Sequence, residues 1–160
     1  MQLRIAGVVK ESVVDGPGLR YVIFTQGCPH HCIGCHNPHT QDFAGGYEVS
    51  ITELLQSITN TKLIDGITFS GGEPFAQASA CAELAKLLKQ NRSDLNIVTY
   101  SGYYHAELLT MAAKDPTIKE FLQSIDILID GPYDATKNDP TLPFRGSSNQ
   151  NIIKLLRSPL

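Results

Sequence analysis

The 160-residue chain has no long hydrophobic run, and no apolar stretch approaches the ~18 residues that a membrane-spanning helix needs. Its first residues, MQLRIAGVVKESVVDGPG, lack the apolar core and small-residue cleavage site of a secretory signal. A cytoplasmic protein with reduced thiols is therefore expected. A basic block is missing too. Lys and Arg number 13 against 16 Asp and Glu, a formal charge of −3. Phosphate backbones call for clustered cations, so nucleic acid is argued against and a small molecule or another protein is the expected partner. Internal repeats and low-complexity tracts are absent, and the length suits a single domain over 1–160. No Ser-His-Asp set and no paired carboxylates stand out, which leaves hydrolytic chemistry without support. Cysteines are scarce as well, yet three of the four crowd into GCPHHCIGCHN, residues 27–37.

What is present alternates between two hydrophobic periods. LRIAGVV (3–9) reads as extended, VDGPGLR (14–20) as a Gly/Pro turn, and LRYVIFTQ (19–26) as a buried strand rich in β-branched and aromatic residues. Ser50 and Glu53 frame a capping box for a helix with Ile51, Leu54, Leu55 and Ile58 on one face. GITFSGG (66–72) is a second strand. Pro74 then opens a helix to about residue 90, with Ala78, Cys81, Ala85 and Leu88 at helical spacing. LNIVTYSG (95–102) is a third strand, followed by a helical stretch over 105–114. Asp115-Pro116 opens a further helix bearing Ile118, Phe121, Leu122 and Ile125. SIDILIDG (124–131) is a fourth strand, and a long polar loop (130–150) separates it from NIIKLL.

Strands alternating with helices predict parallel βα units in an α/β fold. A closed eight-stranded barrel takes about 250 residues. This chain can build only an open, incomplete (β/α) barrel of mainly parallel strands. Its chemistry belongs at the C-terminal strand ends, where the glycine-rich and cysteine-rich loops fall.

Cys28, Cys32 and Cys35 follow a CxxxCxxC spacing directly after the first buried strand. A disulfide would leave one thiol over. Three thiolates from one tight loop can hold three corners of a cubane 4Fe-4S cluster, leaving the fourth iron open to an exogenous ligand. Zinc is the alternative, with His30, His31 or His36 completing a Cys3His site. Cys81 falls on the apolar face of a helix and reads as a small core residue. Individually, His30, His31, His36 and His39 read as solvated loop residues.

After the second strand comes Gly71-Gly72-Glu73-Pro74. The glycines let backbone polar groups approach a ligand, Glu73 can accept from an ammonium, and Pro74 starts a helix. CxxxCxxC followed by GGEP, in this order and on these elements, resembles the radical S-adenosylmethionine superfamily. The resemblance implies a 4Fe-4S cluster on Cys28, Cys32 and Cys35, with S-adenosylmethionine bound through its amino and carboxylate groups at the open iron. It places Gly34, Cys35, His36, Gly71, Gly72 and Glu73 around that cosubstrate. Superfamily members usually carry an aromatic residue before the third cysteine, near the adenine; Gly34 stands there instead. Thr99 and Ser101, in TYSG at the end of the third strand, occupy positions where relatives contact the methionine or ribose.

VDGPGLR (Asp15 to Arg20) resembles the signature of the glycyl-radical-enzyme activating family. DGPY (130–133) and LPFRGSSNQ (142–150) resemble the branch of that family serving anaerobic ribonucleoside-triphosphate reductase. The likeness runs in one register through nearly the whole chain. It implies an external one-electron donor such as flavodoxin and cleavage of S-adenosylmethionine to methionine and a 5′-deoxyadenosyl radical. That radical would take a Cα hydrogen from a glycine on the catalytic subunit of the reductase. A homodimer and a heterotetramer with the reductase are both compatible with the resemblance. An open barrel suits the admission of another protein's loop, and the 130–150 loop, with Phe144 and Arg145, is expected to help dock it. Asp15 either orients the cosubstrate or a cation, or caps the Gly16-Pro17-Gly18 turn; the turn is preferred. Activation of a different glycyl-radical enzyme, and a zinc-stabilised binding module without catalysis, are the alternatives.

Overall fold

The buried runs of the expected strands are realised in one seven-stranded sheet. The computed structural model describes residues 1–155. Its strands are β1 (Gln2–Ser12), β2 (Arg20–Thr25), β3 (Tyr47–Ser50), β4 (Gly66–Gly71), β5 (Asn96–Tyr100), β6 (Ile127–Asp130) and β7 (Asn151–Lys154). Its helices are α1 (Ile51–Asn60), α2 (Ala78–Asn91), α3 (His105–Ala112) and α4 (Pro116–Ser124). Across the sheet the order is β3-β1-β2-β4-β5-β6-β7. The central strands β2, β4, β5 and β6 are parallel and adjacent in chain order. Right-handed crossovers between such sequential neighbours place all connecting helices on one face.

The flanking strands β1, β3 and β7 run antiparallel to their neighbours. For β1 the reason is length: residues 13–19 cannot make the crossover of a dozen or more residues that a parallel pair requires. Among the described residues the sheet ends in two edges, β3 and β7, so it stays open as expected. Two strands go beyond the sequence reading. YEVS of β3 and NIIK of β7 bury almost nothing, so neither carries a strand's burial pattern. They form because Gln2–Ile5 and Ile127–Asp130 present unpaired edges beside them.

Side-chain alternation divides the sheet into two faces. Tyr21, Ile23, Ile67, Phe69, Ile97 and Leu128 join Leu54, Ile58, Leu84, Leu88, Phe121 and Leu122 of the helices in the main core. There Phe121 meets Phe69 edge-on at 5.3 Å between ring centres and Phe75 at 4.7 Å. Ser50 Oγ caps α1 by accepting from the Glu53 N–H at 3.0 Å, the serine half of the expected box. Asp115 does the same for α4 from Thr117.

On the opposite face Val22, Val98 and Ile129 are buried under chain rather than helix. The DGPG turn lies here, bound by Arg20. That guanidinium is fully buried, donating to Thr68 Oγ1 at 2.7 Å, Ile67 O at 2.6 Å, Asn96 O at 3.2 Å and Pro17 O at 2.9 Å. One arginine thus ties the turn to β4 and β5.

Candidate active site

The C-terminal ends of β2, β4, β5 and β6 share one edge of the sheet, and the loops after them meet there. The cysteine loop begins and ends on a short backbone ladder. Gly27 N–H donates to Thr40 O at 2.7 Å and Cys28 N–H to Gln41 O at 3.1 Å. Gln26 reinforces it, its side-chain amide donating to His39 O at 2.9 Å and Asp42 O at 2.7 Å. This closed base presents Cys28, Cys32 and Cys35 as free, partly buried thiols. Burial pushes the Cys28 thiol up, and donation from the His30 and His31 N–H groups opposes it. Cys81 is buried in the core on α2, as the sequence suggested, with its thiol pushed far up by desolvation.

The cysteine loop sits directly on the end of β4. Gly72 N–H donates to Thr25 O at 2.8 Å and Glu73 N–H to Gly27 O at 2.8 Å. A Cβ on Gly72 would run into the carbonyl oxygens of Gly27 and Thr40. Gly71, at φ +92°, would press a Cβ to 2.6 Å from the Thr25 nitrogen. The glycine pair therefore has a packing reason beside the ligand reason.

Glu73 is fully buried. Its Oε1 accepts from Phe75 N–H and Ser101 Oγ, each at 3.0 Å. Its Oε2 accepts from Gly102 N–H at 2.8 Å and faces His30 Nε2 at 2.7 Å. With these partners in place, accepting from a ligand ammonium would require one of them to give way. The expectation that the loop histidines are each solvated fails for His30, whose side chain is only 15% exposed. The sequence carried no signal for this: its partner lies 43 residues away.

The remaining expected site residues divide. Ser101 is buried beside Glu73, and its Oγ also accepts from Tyr103 N–H. Thr99 pairs with Phe69 in register, which turns its side chain toward the helices; its Oγ1 is buried without a hydrogen-bond partner among the described residues. Gly34 (φ +76°) and His36 are exposed on the rim. Tyr133 reaches them, its ring 4.7 Å from that of His36 and 3.3 Å from a Cβ built on Gly34. Asp15 belongs to the turn: its Oδ2 accepts from Ser12 Oγ at 2.6 Å and its carbonyl from Thr68 Oγ1 at 2.8 Å. Arg145 is held by two long contacts of 3.4 Å, to Pro143 O and Gln150 O.

The 130–150 loop is ordered by its own side chains. Gln150 Nε2 donates to Gly131 O at 3.0 Å, while its Oε1 accepts from Gly146 and Ser147 N–H. Asn149 Nδ2 donates to Pro132 O at 2.8 Å. Tyr100 Oη then donates to Phe144 O at 2.7 Å, fastening the loop across the open face of the sheet.

Three free cysteines in one tight loop at the strand ends are a donor set of the kind an iron–sulfur cluster takes. Among the described residues no three His, Cys, Asp or Glu side chains form a group able to hold one metal ion.

Comparison with known proteins agrees. Residues 14–153 match the family described as 4Fe-4S single cluster domain. The chain is 34% identical over 148 residues to the anaerobic ribonucleoside-triphosphate reductase-activating protein of Pasteurella multocida (strain Pm70), covering 89% of this chain and 91% of that one. It is 41% identical over 105 residues to the pyruvate formate-lyase-activating enzyme of Clostridium pasteurianum, covering 62% of this chain and 44% of that one. The crystal structure of QueE from Escherichia coli shares the fold at a TM-score of 0.50 and 20% identity, over 66% of this chain and 54% of that one. A cysteine loop seated on a GGEP strand end, in a chain alike over about nine tenths of its length, places this protein in the family of anaerobic ribonucleoside-triphosphate reductase-activating proteins, among the radical S-adenosylmethionine enzymes that activate glycyl-radical proteins.

Proposed function

We propose that this chain, as a single domain over 1–160, installs a glycyl radical on the catalytic subunit of an anaerobic ribonucleoside-triphosphate reductase. It would do so with a 4Fe-4S cluster on Cys28, Cys32 and Cys35 and with S-adenosylmethionine. The observation that carries this reading is the junction of the cysteine loop with the GGE end of β4, where Glu73 N–H meets Gly27 O at 2.8 Å. It seats the start of the cysteine loop on the glycine pair after that strand.

When bound, the cluster supplies the low-potential electron that splits S-adenosylmethionine and so yields the radical that takes the glycine hydrogen. The protein's residues handle placement. Gly71 and Gly72 let the cysteine-loop backbone close onto the strand end where the amino-acid end of the cosubstrate would bind, while Gly34 and His36 form its outer rim. Glu73 and Ser101 hold the wall between β4 and β5, and Thr99 contributes through its backbone. Asp15 supports the sheet from the turn. Ile33, 87% exposed between Cys32 and Gly34, would meet a partner's loop, and Phe144 and Arg145 of the 130–150 loop would help dock it. An external one-electron donor such as flavodoxin and a cytoplasmic setting complete the reading.

The test begins with protein purified without oxygen and assayed for iron, sulfide and zinc. Dithionite and S-adenosylmethionine are then added, with and without the reductase. About four irons per chain, released 5′-deoxyadenosine, and a glycyl-radical resonance only with the reductase are expected. One zinc and no cleavage would overturn the reading. A resonance on pyruvate formate-lyase but not on the reductase would reassign the partner.

A further inference from the structure

Glu73 holds the cysteine loop on both sides of Cys28. Ahead of that cysteine, the Glu73 N–H donates to Gly27 O at 2.8 Å. Beyond it, His30 Nε2 donates to Glu73 Oε2 at 2.7 Å, since a carboxylate can only accept. The same carboxylate takes Phe75 N–H and Ser101 Oγ on Oε1, each at 3.0 Å, and Gly102 N–H on Oε2 at 2.8 Å. A carboxylate offers about four lone-pair directions, and these donors fill them. They come from three segments: the turn after β4, the end of β5 and the cysteine loop.

The imidazole has a place made for it at this junction. Its ring meets Tyr103 edge-on, with centres 4.4 Å apart at 74°. A Cβ on Gly102 would overlap the ring, so the glycine leaves the space that the imidazole fills. Glu73 is fully buried and the His30 side chain is only 15% exposed, so water competes little for the bond between them.

We propose that Glu73 and His30 are a positioning pair, in which the carboxylate ties the Cys28–Cys32 stretch to the ends of β4 and β5 instead of binding the cosubstrate. The inference rests on the reading that these cysteines are cluster ligands. An ammonium reaching this carboxylate would displace one of the four donors and leave it unpaired in a buried place, which offsets the bond gained. Breaking the His30 bond frees the loop between Cys28 and Cys32, and the cluster is held less firmly.

The test uses anaerobic holoprotein of the wild type and of His30→Ala, His30→Gln and Glu73→Gln. Two quantities are read: the rate of iron release to a chelator without cosubstrate, and the affinity for S-adenosylmethionine by equilibrium dialysis, per cluster. Glu73→Gln sets an amide N–H against a backbone N–H at one end or the other, so it breaks the tie without changing size. Iron release is expected about tenfold faster in His30→Ala and in Glu73→Gln. His30→Gln, similar in reach and still a donor, is expected within about threefold of wild type. The affinities of His30→Ala and Glu73→Gln are expected to match within about threefold, since both variants free the same loop. Complete loss of the cluster from these two but not from His30→Gln supports the same assignment. Wild-type release from either of the two would overturn it, as would equally fast release from His30→Gln. An affinity at least tenfold weaker in Glu73→Gln than in His30→Ala would overturn it too, by making Glu73 a ligand of the cosubstrate. A wild type without iron would overturn both this inference and the ligand assignment, which separates the two failures.

Discussion

Arg20 and Gly72 show how single residues maintain the site from opposite ends of the sheet. A buried guanidinium is costly unless it is hydrogen-bonded, and Arg20 donates to Thr68, Ile67, Asn96 and Pro17. Desolvation lowers its pKa to about 10, with Asp65 and then Asp126 acting in the other direction. The side chain is therefore still a cation at neutral pH. Arg20→Ala is expected to destabilise the protein by about 3 kcal/mol, because buried acceptors lose their donor. That is roughly a 6–12 °C fall in Tm for a chain of this size, and anaerobic calorimetry would read it. Gly72→Ala acts differently. Its Cβ would push the carbonyls of Gly27 and Thr40 outward, unseating the cysteine loop while the helix-facing core stays closed. Iron per chain is expected to fall several-fold with far-UV dichroism unchanged; full iron retention would contradict the seating role of Gly72.

Among the elements, the 130–150 loop departs furthest from its appearance in the sequence. Its prolines and polar residues suggest a long mobile connection, and such loops are commonly lids or linkers. The structure gives it a 3-10 turn at Ala135–Lys137 and an isolated bridge between Asn138 and Ser147. Gln150, at its end, binds Gly131 at its beginning and the Gly146-Ser147 backbone between. Gln150→Ala removes three bonds at once. Limited proteolysis is expected to cut within 131–150 at least tenfold faster, following the higher open population, with little change in Tm. An unchanged cleavage rate would mean that the remaining contacts, Tyr100–Phe144 and Asn149–Pro132 among them, hold the loop. The SSNQ tetrad was readable as a family resemblance, but its role as a staple was not. Its partners lie up to 45 residues away in the chain, as with Asn149 and Tyr104.

For the whole molecule, the open sheet keeps its mouth wide, and an apolar residue stands exposed there beside Gly34 and His36. Ile33 projects at 87% exposure from the middle of the cysteine loop. An isolated exposed isoleucine is ordinary, but on the proposed function one between two expected cluster ligands is where the partner's glycine would arrive. Ile33→Asp is expected to lower the glycyl-radical yield on the reductase about tenfold by raising the KM for that protein. Release of 5′-deoxyadenosine in the partner's absence should fall less than twofold. Equal losses in both would place Ile33 in the cosubstrate pocket instead.

Local chemistry determined much of this protein directly. The buried runs rich in β-branched and aromatic residues became β2, β4, β5 and β6, and the capping residues Ser50 and Asp115 started α1 and α4. The cysteine spacing and GGEP marked the mouth, because both depend on residues close together in the chain. Tertiary structure alone decided the rest. β3 and β7 exist only because an edge was available to pair with, and Arg20 is buried only because two later strands supply its acceptors. His30 turned inward for the same reason: a carboxylate from β4 and the bare backbone of Gly102 arrive beside it only when the sheet is assembled. Bonds between distant segments leave no period or spacing in the sequence, since their geometry comes from the packing of other elements.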